Sequence, residues 1–142
     1  MRHLVRQAGL EKEIVIESAG TGDWHLGEPR DQRSQATGRA RGIPLSGVAQ
    51  QFTGADFARC DYVLAMDAAN RKALLAMAPD DGQRAKISLL RAFEPGAPGA
   101  GGQAPDVPDP YYGGPGGFET VFDICEAACA GLLAHLRRTH RI

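Results

Sequence analysis

Apolar positions recur along this chain with two periods, and the switches between them mark its elements. Leu4 and Val5 lie opposite Arg2 and Arg6 in an amphipathic helical piece over residues 1–9, which Gly9 stops. No capping residue precedes its first turn, so it reads as the back half of a longer helix. Residues 13–18 alternate Ile14 and Ile16 with charge, the pattern of a strand. Residues 19–29 form a Gly-rich loop. Asp31 is placed to cap a helix that runs to about Arg41 and ends at Gly42. Thr53 and Asp56 have the spacing of a capping box, with Asp for the usual Glu, and predict a short helix. Residues 61–66 read as a continuous apolar run, as in a strand covered on both faces. Asp67 then caps a helix to about Ala78, stopped by Pro79, and residues 87–90 form another short apolar strand.

Residues 94–117 are dominated by Gly and Pro, and so long an irregular stretch inside a domain is usually functional or disordered. From Phe118 to about Arg138, Phe118, Val121, Phe122, Cys125, Cys129, Leu132, Leu133 and Leu136 fall on one face at helical spacing. Strands alternating with helices predict an α/β fold, a mainly parallel sheet with helices on both faces. Sites in such folds lie at the carboxyl ends of the strands, which places residues 18–25 and the loop after Met66 on the functional edge.

A length of 142 residues suits a single domain spanning residues 1–142. The net charge of −1 gives no basic excess for nucleic acid or another polyanion. Two local arginine groups, Arg30, Arg33, Arg39, Arg41 and Arg137, Arg138, Arg141, read as solvated helix faces. No apolar run is long enough to span a membrane, and the first residues lack the apolar core of a signal peptide. Three cysteines, an odd number, fit a reducing compartment better than a disulfide framework, so the expectation is a cytoplasmic protein.

Two constellations fail on geometry. Gly99-Ala-Gly101-Gly-Gln-Ala104 superficially matches a dinucleotide fingerprint, but prolines stand on both sides where a strand and a helix are required. Cys125, Cys129, His135 and His140 invite a zinc site. On one helix they spread over roughly 22 Å, whereas four ligands must each lie within about 2–2.3 Å of one zinc. Cys125 and Cys129 read instead as small core hydrophobes, and Cys60 as structural.

The strongest local signal is Asp109-Pro-Tyr111-Tyr112-Gly. Pro110 fixes its own φ and biases Asp109 toward an extended conformation. Two tyrosines beside a carboxyl group suit an aryl phosphate: the rings flank the substrate ring, and the acid protonates the departing oxygen. A type I turn with surface tyrosines is the other reading of the same residues.

Taken with Ser18-Ala-Gly-Thr-Gly-Asp-Trp24-His25 and with Tyr62-Val-Leu-Ala-Met66-Asp67 and Asn70, in this order and spacing, the segment resembles the low-molecular-weight protein tyrosine phosphatases. The resemblance covers essentially the whole chain. It implies a doubly wound three-layer sandwich on a four-stranded, mainly parallel sheet. It implies hydrolysis of phosphotyrosine proteins or small aryl phosphates without metal or cofactor. Asp109 matches the general acid. Trp24, His25, Tyr111 and Tyr112 match the mouth of the substrate cleft, and Ser18 and Asp67 match positions that order the site. N-capping alone is the other role open to Asp67.

Members of that family open with a strand and a phosphate loop, Cys-x5-Arg-Ser/Thr, whose thiolate attacks phosphorus while backbone amides and the Arg cradle the oxygens. Here the residues six positions after Cys60, Cys125 and Cys129 are Met66, Gly131 and His135. The expectation is that this chain lacks the first, central strand and its loop, that the natural start lies upstream of Met1, and that the chain alone is inactive. A non-catalytic phosphatase-like binding protein and an arsenate reductase of the same fold are the alternatives. Oligomeric state is not legible.

Overall fold

The computed structural model describes residues 1–22, 25–97, 103–111, 114 and 116–142. The chain divides into two compact units, Ser18–Leu89 and Met1–Glu17 with Leu90–Ile142.

The Ser18–Leu89 unit is a parallel β-α-β arrangement. Strand β1 (Val63–Ala65) pairs in parallel with β2 (Ile87–Leu89), Val63 opposite Ile87 and Ala65 opposite Leu89. The crossover holds α3 (Ala68–Met77) and the single turn α4 (Asp81–Arg84). Each helix of this unit starts on an aspartate. The carboxylate of Asp31 accepts from the Arg33 amide to open α2 (Gln32–Ala40), Asp67 from the Asn70 amide to open α3, and Asp80 from the Gln83 amide to open α4. These bonds satisfy amides that would otherwise lack partners in the first turn. Gly42, at φ 70°, takes the left-handed conformation beyond the end of α2.

The core here is Phe57, Val63, Ala65, Leu74, Ala78 and Ile87, with Phe52 edge-on to Phe57 at 5.0 Å between ring centres. Phe57 sits on a 3-10 turn, Gly54–Arg59, where an α-helix was not distinguished from the sequence. The Asp56 carboxylate accepts the Thr53 amide at 2.7 Å, the backbone half of the expected capping box. The Lys86 ammonium donates to the Phe57 carbonyl at 2.7 Å, which ties the turn to the start of β2.

The other unit is helical. Helix α1 (Arg2–Gln7) packs on α5 (Gly117–His140), which in turn packs on a 3-10 turn at Leu90–Phe93. Val5, Leu90, Phe93, Val107, Phe118, Cys129, Leu132 and Leu136 are buried. Ala128, fully buried, also belongs to the inner face of α5, although its small side chain did not stand out in the pattern. Helix α5 runs unbroken from Cys125 through His140, which keeps those ends about 22 Å apart.

One expectation is corrected. Residues 13–18 carry no strand. The Glu13 and Ile14 amides turn back to the Leu10 carbonyl, the Arg2 guanidinium donates to the Ile16 carbonyl at 2.9 and 3.1 Å, and Val15 is 82% exposed. Alternation chooses the faces of a strand, but a ladder needs a neighbouring chain to receive its hydrogen bonds. Among the described residues, residues 14–17 form no β-ladder. Among the described residues the sheet has two strands.

Candidate active site

In the Ser18–Leu89 unit one of the expected residues, His25, lines a hollow. A cavity of about 250 Å³ is lined by Gly20, Thr21, Gly22, His25, Leu26, Ala49, Gln50 and Asn70. The loop that makes its wall is held by backbone pairing: the Gly20 amide donates to the Gln50 carbonyl and the Phe52 amide to the Gly20 carbonyl, both at 2.8 Å. The Gly27 and Ala49 amides bond to the carbonyls of Ala49 and Glu28.

Ser18, His25 and Asp67 each have a defined partner. The Ser18 hydroxyl accepts from the Arg30 guanidinium at 2.7 Å, and the Ser18 carbonyl accepts from the Gln50 side-chain amide at 2.9 Å. Arg30 also donates to the Ser46 carbonyl at 2.9 Å. Arg30 is thus a tie between three segments, which corrects its reading as part of a solvated helix face. His25 is exposed and its Nδ1 lies 2.8 Å from a Glu28 carboxylate oxygen. Asp67 reaches the site only through Asn70, whose amide it accepts at 2.7 Å and which lines the hollow. N-capping is therefore the interaction that Asp67 makes.

In the second unit, Asp109 lies on an exposed turn and accepts the Tyr111 amide on Oδ1 at 2.9 Å. Tyr111 is 56% exposed. This is a side chain closing its own turn, as Asp does two residues ahead of a free amide. Trp24 and Tyr112 lie outside the described residues, as do residues 99–102 of the glycine-rich segment.

The cysteines are not poised for chemistry. Burial pushes the Cys125 thiol up to about 11, with the neighbouring Cys129 adding to the effect, so it stays protonated. Cys129 is buried in α5, and Cys60 is half-buried against the Phe57 cluster. Among the described residues no group of three or more His, Cys, Asp or Glu side chains could hold a metal ion, and no helix is long and apolar enough to cross a membrane. Gln50, Arg30 and Asn70 were not picked out as site residues from sequence. For Arg30 and Gln50 the link to the site depends on contacts 12 and 32 residues away, which no local spacing announces.

Comparison with known proteins adds a family. Residues 1–141 match the model for low molecular weight phosphotyrosine protein phosphatase. A low molecular weight protein-tyrosine-phosphatase of Streptomyces coelicolor is 46% identical over 136 residues, which cover 96% of this chain and 81% of that protein. The human low molecular weight phosphotyrosine protein phosphatase is 35% identical over 133 residues, 93% of this chain and 80% of its own length. In structure, a protein tyrosine phosphatase from Entamoeba histolytica, crystallised with Hepes in its active site, superposes with a TM-score of 0.88 at 32% identity. The match covers 98% of this chain and 85% of that one.

Proposed function

Because the chain belongs to the low molecular weight phosphotyrosine protein phosphatase family, we propose that it hydrolyses phosphotyrosine and other aryl phosphate monoesters, as part of a longer product whose nucleophile lies upstream of Met1. The observation that carries this reading is the pairing of a family match over residues 1–141 with a sequence in which no Cys is followed by Arg six positions on. The same reading has residues 1–142 as one domain that lacks its central strand, the complete fold being a four-stranded doubly wound sandwich.

The chemistry then divides as follows. A thiolate from the upstream loop attacks phosphorus, and the bond from phosphorus to the phenolic oxygen breaks. Asp109 supplies the proton that this oxygen takes up. Its Oδ1 is engaged by the Tyr111 amide, so Oδ2 carries the proton. In the second half, Asp109 removes a proton from water as the water attacks the phosphocysteine, which releases inorganic phosphate and restores the thiolate. Trp24, His25, Tyr111 and Tyr112 are the substrate-binding residues of this reading. Ser18, held by Arg30 and Gln50, and Asp67, through Asn70, keep the wall of the hollow in place. The scheme calls on no metal or cofactor. Its setting is the cytosol, whose reducing poise keeps the three cysteines as thiols. Its partners are phosphotyrosine proteins or small aryl phosphates.

The test is turnover of para-nitrophenyl phosphate by two proteins, the 142-residue chain and the product extended upstream. The expected result is background for the first and hydrolysis for the second. Turnover by the shorter chain, or an upstream reading frame without Cys-x5-Arg, overturns the proposal. The lost nucleophile also suits a non-catalytic relative that binds a phosphorylated ligand, and an inactive extended product that binds phosphotyrosine peptide would establish that reading instead. An arsenate reductase is not supported, since its chemistry calls for a reactive thiol pair and the Cys125 thiol is held protonated within α5.

A further inference from the structure

The 3-10 turn Leu90–Phe93 is fixed by its own burial: Leu90, Ala92 and Phe93 are all in the core of their unit. Arg91, the one polar residue of this turn, extends from that fixed point. Its Nε donates to a Glu94 carboxylate oxygen at 2.6 Å and its Nη2 to the other at 3.4 Å. Its Nη1 crosses to the Asp106 carbonyl at 2.8 Å. The Arg91 and Glu94 side chains are only 20% and 23% exposed, so water competes little for the bonds between them, and the guanidinium is held in place to reach the Asp106 carbonyl.

The segment that Arg91 grips leads straight to Asp109. Val107, next along, is buried. Pro108 and Pro110 lock their own φ angles, and each biases the residue before it, Val107 and Asp109, toward extended conformations. Pro110 lies beside the start of α5, where a methyl group on Gly117 would come to 3.6 Å from the Pro110 side chain. With one end held by Arg91 and Val107, the other braced at α5, and the torsions between restricted, few conformations remain for the Asp109 carboxyl group.

We propose that Arg91 is a positioning residue for the general acid, acting through the Asp106 carbonyl to set where Asp109 presents its proton. This rests on the assignment of Asp109 given above. A lysine cannot replace it, because one ammonium on a flexible stem does not fork between the Glu94 carboxylate and the Asp106 carbonyl.

The leaving group supplies the test. Para-nitrophenolate departs readily without a proton, whereas the phenolate of phenyl phosphate needs one. In the upstream-extended product, Arg91→Ala should lower kcat/KM for phenyl phosphate by ~10-fold or more, a fraction of the effect of a whole general acid, and for para-nitrophenyl phosphate by less than ~3-fold. Arg91→Lys should recover little of the loss, and it serves as the test variant if Arg91→Ala unfolds. In an Asp109→Asn background, Arg91→Ala should cost nothing further for either substrate. Equal losses on both substrates, or losses that add to those of Asp109→Asn, overturn the proposal while leaving the phosphatase reading intact. An extended wild-type product that hydrolyses neither substrate removes the phosphatase reading and this inference with it.

Discussion

Gly131 approaches Phe93 so closely that any side chain at this position of α5 would overlap the Phe93 carbonyl oxygen. The obstacle is backbone, on a turn whose Leu90, Ala92 and Phe93 are buried, so it cannot swing aside as the end of a flexible side chain would. Gly131→Ala should therefore destabilise the protein by about 3 kcal/mol, at the top of the overpacking range, despite the gain of about 1 kcal/mol that alanine brings to a helix interior. Denaturant melts of this variant against Ala130→Gly, at an exposed neighbour, check it. A stabilised Gly131→Ala would mean that the turn and the helix are not locked together.

Asp109 separates binding from chemistry. In the upstream-extended product, Asp109→Asn should lower kcat for phenyl phosphate by ~10²–10⁴-fold with KM nearly unchanged, since an amide fills the same space but carries no transferable proton. Steady-state kinetics decide it. Turnover at the wild-type rate would take Asp109 out of the mechanism.

Asp67 has two candidate roles that one pair of variants distinguishes. Serine caps a helix about as well as aspartate, whereas alanine loses the cap at a cost of about 1 kcal/mol. If capping is the whole role, Asp67→Ser should match wild type in melting temperature and in turnover. If the carboxylate also orders the site, Asp67→Ser should melt as wild type does yet lose activity in the extended product. Thermal melts and kinetics on the same preparations read both.

Cys125 should be slow to alkylate. With its thiol held near 11, the thiolate fraction at pH 8 is about one in a thousand, against about one in ten for a thiol at the usual 9.0. Iodoacetamide labelling with mass spectrometry should find Cys125 modified about a hundredfold more slowly than a free thiol. The sign of the linkage follows. A folded-state value above the usual 9.0 favours the native state fully below about pH 9, and that contribution is lost as pH rises from about 9 to 11. Rapid labelling of the folded protein at pH 8 would contradict the burial.

What was readable in the sequence is what local chemistry decides. The caps at Asp31 and Asp67, the stop at Gly42, the parallel pair at residues 63–65 and 87–89, and the apolar face of α5 all follow from side-chain type and spacing, and each is present. The capping turn α4 was not anticipated, because four residues hold no period to detect. The strand at residues 13–18 failed because pairing is not a local property. The candidate site divides the same way. Asp109 and its turn stand out as a motif, whereas Arg91, Arg30 and Gln50 act across contacts that the order of residues does not reveal.

The unladdered stretch around Val15 has a bearing on handling. Ile14-Val15-Ile16 is a β-prone, apolar triplet that could add to any open sheet edge, another copy's included. Glu13 and Glu17 bracket it, and Arg2 already occupies one of its carbonyls. Two copies meeting edge to edge would press four carboxylates together, a guard made of charge and therefore weakened by salt. Solutions of this chain should stay clear in dilute buffer and cloud as ionic strength climbs.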